Sequence, residues 1–224
     1  MPFLKQLIPD LVVLGMGMRW TGFTMRFELL AEYLASLKDD DIVCFLDAYD
    51  IIPTKNITNL ENQFIDFSKK NPEIKFIIGY DKIENIVGEF ISQQIFDSID
   101  GDRINGGQYI GYVKNLKEIM KYMLANMTCS DDQVEFTKYV KLNRKHCHID
   151  KEKEFFYVFT NPLTQVNSTV IDTTCSFVHA AGNGFLENFL EEHHKIEINP
   201  LQRLVYFIDN VDGYFRKVLS FIKL

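Results

Sequence analysis

The chain has 224 residues, 46% hydrophobic and 25% charged, a globular mix that excludes a largely disordered polymer. Its 24 basic and 31 acidic residues leave a net charge of −7, which argues against gripping a nucleic-acid backbone and suits the holding of a divalent cation. At this length one α/β domain is expected over 1–224, with about 190–224 as a C-terminal extension.

In chain order, Leu11-Val12-Val13-Leu14 is a short apolar run ended by Gly15 and Gly17, which predicts a buried strand leading into a loop. Phe27, Leu30, Ala31, Leu34 and Leu37 recur at helical spacing until Asp39-Asp40-Asp41 ends the helix. The run Ile42-Val43-Cys44-Phe45-Leu46 predicts a fully buried strand, with Cys44 a buried thiol. A helix over about 60–68 and a strand at 74–78 repeat the pattern, the rhythm of a parallel sheet covered on both faces. Beyond residue 100, Asn105-Gly106-Gly107 predicts a turn feeding a short strand at 109–112. Helices at about 115–126 and 131–141 follow, then strands at 155–159 and 176–179. In the tail, Phe215, Val218, Leu219 and Ile222 fall on one helical face. That face is expected to cover the domain's own core or a second subunit in a homo-oligomer, rather than to lie on a membrane.

No apolar run reaches the roughly 18 residues of a membrane span. Residues 1–5 lack the basic start and apolar stretch of a signal peptide. The four cysteines form no C-x-x-C pair, which counts against structural zinc. The expectation is an intracellular chain, cytoplasmic by default, with reduced thiols and with the sequons at Asn56, Asn126 and Asn167 unmodified.

The chemistry concentrates in a few places. Asp47-Ala48-Tyr49-Asp50 follows directly on the strand 42–46. Open α/β sheets place their ligands beyond the carboxyl ends of strands, and two carboxylates there offer hard oxygen ligands to Mg²⁺ or Mn²⁺. His179 ends a second apolar run and precedes Ala180-Ala181-Gly182-Asn183-Gly184, whose small residues let backbone N–H groups approach an anion. One imidazole with two carboxylates makes a partial shell for Mn²⁺. Ser130-Asp131-Asp132-Gln133 opens a helix, where an acid can serve as a cap or face a reacting hydroxyl. Trp20, the single tryptophan, stands in a Gly- and Met-rich loop, where it can pack in the core or lie against a base or sugar.

Taken in order, Val13-Leu14-Gly15-Met16-Gly17 with Trp20, Phe45-Leu46-Asp47-Ala48-Tyr49-Asp50, Asn105-Gly106-Gly107-Gln108-Tyr109-Ile110-Gly111, Asp131-Asp132-Gln133 and His179 with Gly182-Asn183-Gly184 form a recognisable set. The chain resembles the glycosyltransferase domain of procollagen lysyl hydroxylases, the collagen hydroxylysine glycosyltransferases, and their giant-virus relatives, from about residue 3 to about 190. The resemblance implies a GT-A, Rossmann-like α/β fold with a mixed central sheet flanked by helices. It implies a retaining transferase that moves a hexose, glucose ahead of galactose, from a UDP-sugar to a hydroxyl acceptor. Galactosyl-hydroxylysine of a collagen-like protein is such an acceptor.

By the same resemblance Asp47, Asp50 and His179 hold Mn²⁺, with Mg²⁺ as the alternative. Trp20, Tyr49, Gly182, Asn183 and Gly184 contact the nucleotide and diphosphate, with Arg26 supplying positive charge. Asp131, Asp132 and Asn105 lie on the reacting side. The chain departs from the family in a stretched His-to-Gly-Asn-Gly spacing, in lacking the lysine after that motif, and in starting after the family's first strand. Those departures motivate the alternative of a UDP-sugar-binding or scaffold domain that has lost turnover.

Overall fold

A computed structural model describes residues 8, 10–47, 50–81, 99, 102–127, 132–158 and 174–179. Helix α1 runs Phe23–Ala35, strand β1 Ile42–Leu46, β2 Ile51–Pro53, α2 Leu60–Lys70 and β3 Phe76–Tyr80. They are followed by β4 Ile104–Tyr112, α3 Val113–Asn126, α4 Asp132–Leu142, β5 Cys147–Asp150, β6 Phe156–Val158 and β7 Phe177–His179. The architecture is the α/β one expected, built on a mixed sheet.

The main sheet has the order β1-β4-β3-β5. Strand β4 is antiparallel to both β1 and β3, while β3 and β5 run parallel. Side chains alternate across it as a pleated strand requires. Phe76, Ile78 and Tyr109 point into one core with Phe27, Leu30 and Leu34 of α1, Leu116 and Met120 of α3, and Phe136 of α4. Ile77 and Ile110 point the other way, into a second core with Phe64 of α2 and Ile51, Phe155, Phe156 and Phe177. The second core joins the main sheet to a small one ordered β2-β7-β6. The layers are therefore three helices, the main sheet, and the small sheet with α2.

Four expectations are corrected. Residues 11–14 form no strand: Val12 is half exposed, and Gly15 and Gly17 turn the chain at φ 71° and 79°. Of that run Leu14 packs against the helix-side core, and so few buried side chains do not sustain a strand. Asn105-Gly106-Gly107 is not a turn but lies inside β4. Asn105 pairs with Gly79 of β3, whereas Gly106 and Gly107 fall in the register shift between the Ile78–Tyr109 and Gly79–Asn105 pairs, so the glycines form an irregular stretch within β4 rather than a turn at its start. The early parallel rhythm gives way because β4 enters antiparallel between β1 and β3. The strand expected to be fully buried, β1, stands at the end of the sheet order with a partner on one side among the described residues and is half-buried throughout, Cys44 included. Cys44 is a free thiol together with the buried Cys147 and Cys175. Strands β2 and β5 were not anticipated. The amphipathic tail and the proposed extension lie outside the described residues.

Asp150 ends β5, fully buried, and turns the chain into β6. Its carboxylate accepts backbone N–H bonds from Glu154 at 2.9 Å, Phe155 at 2.8 Å and Phe156 at 2.7 Å. Burial raises its pKa despite those three donors. Removing the acceptor strands the Phe155 and Phe156 donors in a dry interior, at about 1–3 kcal/mol for each unsatisfied group, while exposed Glu154 can turn to water. Asp150→Ala is expected to destabilise the fold by about 3 kcal/mol or more, read as a lowered urea midpoint with an unchanged m-value.

Candidate metal and transfer site

The site forms where two ladders end. The β1–β4 register, Leu46 opposite Gln108, is extended by one bond as the Asp47 N–H donates to the Gly107 carbonyl at 2.7 Å. Asp47 is thereby fixed beside the Gly107 backbone, just past the carboxyl end of β1. In the small sheet Ile51 pairs with His179, so Asp50, immediately before β2, meets the end of β7. His179 Nε2 lies 3.2 Å from Asp50 Oδ2. One candidate ligand atom from each of Asp47, Asp50 and His179 lies within 4.8 Å of the others, bringing the expected trio together.

Gly107 makes that convergence sterically feasible. A Cβ there would sit 2.5 Å from both Asp47 Oδ2 and His179 Cε1, and 2.9 Å from Asn105 Oδ1. The same numbers place Asp47 Oδ2 against the Gly107 position, which His179 Cε1 also lines. Burial raises the Asp47 pKa, opposed by the nearby charges of Arg26 and His179 and reinforced by Asp50. His179 is itself buried, and its Nδ1 has no hydrogen-bond partner among the described residues. Two carboxylates and an imidazole with an orphaned nitrogen fit a small divalent cation such as Mn²⁺ in donor type and spacing.

The other expected residues are placed as follows. Asp132 is the first residue of α4 and is buried. Asn105 accepts the Gly107 N–H at 2.9 Å, so its amide oxygen shapes the strand beside the trio. Arg26, from the second turn of α1, reaches Asp132 at 2.7 Å and Asp47 at 3.5 Å. Trp20 is 58% exposed, in an edge contact with Phe23 at 5.8 Å, so it is not a core residue. Tyr49, Asp131, Gly182, Asn183 and Gly184 lie outside the described residues.

Sequence reasoning missed Gln133. Its side-chain oxygen accepts the Gly106 N–H at 2.9 Å, and its amide N–H₂ donates to the Ile104 carbonyl. It clamps β4 where the glycines would otherwise leave it slack. The available signal was an amide in the first turn of a helix whose cap had been credited to the neighbouring acids. The steric role of Gly107 was also missed, although adjacent glycines within a strand mark a close approach of other groups.

An α/β sheet that gathers an acid pair and an imidazole beyond its strand ends has the form of a ligand-binding enzyme domain. The sequence matches the PLOD GT domain family over residues 5–192, most of the chain, and the chain belongs to that family of glycosyltransferase domains. No curated protein matches it. Among the described residues no helix is long and apolar enough to cross a membrane.

Gly107→Ala is expected to fold, because one methyl at the end of a ladder displaces side chains rather than strands. Asp47 and His179 must separate to admit it. Titration with Mn²⁺ alone is expected to show affinity at least tenfold below that of the unsubstituted protein.

Proposed function

We propose that this domain transfers a hexose, glucose ahead of galactose, from a UDP-sugar to a hydroxyl acceptor with retention, using a cation held by Asp47, Asp50 and His179. The observation that carries the reading is the convergence of those three side chains in a chain of this family. When bound, Mn²⁺ or Mg²⁺ supplies Lewis-acid charge that neutralises the departing diphosphate. The chain's own residues bind and orient. Trp20 offers an exposed ring to the nucleotide. Tyr49 and the stretch Gly182, Asn183 and Gly184 serve the nucleotide and diphosphate in this reading, and Arg26 brings positive charge to the same cluster.

Asp132, with Asp131 and Asn105, serves the reacting side. The acceptor is hydroxylysine- or sugar-bearing, with a collagen-like protein as its carrier, and the whole chain acts as one domain with a C-terminal extension.

Incubation with Mn²⁺ and UDP-glucose or UDP-galactose is expected to release UDP. Donor binding without release would support the domain that has lost turnover, and absence of both would overturn the proposal. Asp47→Asn provides a second check. The folded-state pKa of Asp47 lies above its unfolded value, so the metal-free folded protein binds that proton more readily. Its contribution to stability therefore falls as pH rises through the folded pKa. In Asp47→Asn that loss disappears. The metal-free melting midpoint at neutral pH is expected to stay level or rise, while the gain from Mn²⁺ plus UDP is lost. A lower metal-free midpoint with the gain intact would contradict the ligand assignment.

A further inference from the structure

The Arg26 side chain is only 14% exposed, and it contacts three separate elements of the site from a fourth. Its Nη1 lies 2.7 Å from Asp132 Oδ2, at the start of α4, and 3.5 Å from Asp47 Oδ1, at the end of β1. Its Nη2 donates to the Gly106 carbonyl in β4 at 2.6 Å. The plane of the guanidinium is held by rings, with its carbon 5.0 Å from the Phe45 centroid and 5.3 Å from that of Phe27. A group so enclosed, with both Nη atoms engaged and only the buried Nε left without a partner among the described residues, is poorly disposed to reach out to a phosphate.

We infer that Arg26 is a positioning residue that acts through Asp47, turning that carboxylate so that one oxygen faces the guanidinium and the other faces the metal trio. The two oxygens divide in this way: Oδ1 faces Arg26 at 3.5 Å, and Oδ2 faces the Gly107 position, which His179 lines as well. Groups behind a ligand commonly orient it, and their loss weakens metal binding by about 10–100-fold. The Asp132 contact gives the same guanidinium a second duty. It keeps that carboxylate paired with a cation of the protein and ties the reacting side of the site to the metal side at a fixed offset. Asp132 is not one of the clustered trio. Lysine does not substitute here, because an ammonium lacks the planar fork needed to serve two carboxylates and a carbonyl while stacking on Phe45.

The inference rests on the metal reading above, and its test separates the two. Binding of Mn²⁺ alone, without donor, is measured by calorimetry on the full chain and on Arg26→Lys and Arg26→Gln, each melted without metal to establish that it folds. A residue that merely supplied positive charge would give Lys an unchanged affinity and Gln a tighter one, since removing a cation relieves its repulsion of the metal. A positioning residue gives the opposite sign. Both variants are expected to bind Mn²⁺ about tenfold or more weakly, with Lys failing to rescue. Phe45→Leu removes the stacking face without changing any charge, so it answers the question even if the Arg26 variants do not fold. It is expected to weaken Mn²⁺ severalfold. Wild-type affinity in Arg26→Lys, tighter binding in Arg26→Gln, or wild-type affinity in Phe45→Leu overturns the inference. Failure of the unsubstituted protein to bind Mn²⁺ overturns the metal site and this inference with it, and is distinguished by appearing before any substitution.

Discussion

Asp47, Asp50 and Asp132 stand around the single guanidinium of Arg26, in a pocket where water screens them only in part. At an effective dielectric near 20, two unit charges about 5 Å apart repel by roughly 3 kcal/mol. One arginine cannot offset three such carboxylates. With all three ionised and His179 neutral, the cluster retains two negative charges, the complement of a divalent cation. Burial alone would lower the Arg26 pKa, but the surrounding carboxylates, Asp47 first and then Asp132, raise it overall. The guanidinium thus stays charged, and the surrounding fold serves largely to hold this imbalance in place.

Several local devices do so. The last β1–β4 hydrogen bond fixes Asp47 against Gly107, and the absence of a side chain at Gly107 admits His179. Gln133 grips the β4 backbone on both sides of Asn105, replacing the stiffness that two glycines remove. Further away, Asp150 organises the turn that delivers β6 beside β7, and so sets the height of His179. Each is a backbone group satisfied by a side chain, and each is specific to one arrangement of strands.

The readable parts of the sequence were those in which one element carried its own signal. The five apolar residues of β1 followed at once by Asp47, the helical stripe of Phe27, Leu30 and Leu34, and the His179 run all lie close to their expected positions. The clustering of Asp47, Asp50 and His179 was legible because the acids border a strand and the histidine ends another. Features that depend on partners were not legible. Gly106 and Gly107 stay within β4 because Gln133 and Asn105 side chains take their N–H groups where the strand registers skip them. The run 11–14 is apolar enough for a strand but leaves Val12 half exposed. Arg26 carried no local mark of its reach to Asp132, which lies more than a hundred residues further along the chain.

The trio is drawn from both sheets. Asp47 belongs to the end of the main sheet, whereas Asp50 and His179 belong to the small one, and the short segment from β1 to β2 carries both acids. A cation bound there would act as a rivet between two layers that, among the described residues, also meet through the Asp150 bonds to Phe155 and Phe156 and the apolar contacts of Ile77 and Ile110 with Phe155, Phe156 and Phe177. Ligand affinity and the mechanical coherence of the two layers then become one thermodynamic quantity, since whatever binds the joined form draws the layers together by the same free energy. Filling the candidate cation site would thus make the small sheet unfold with the main one as a single cooperative unit.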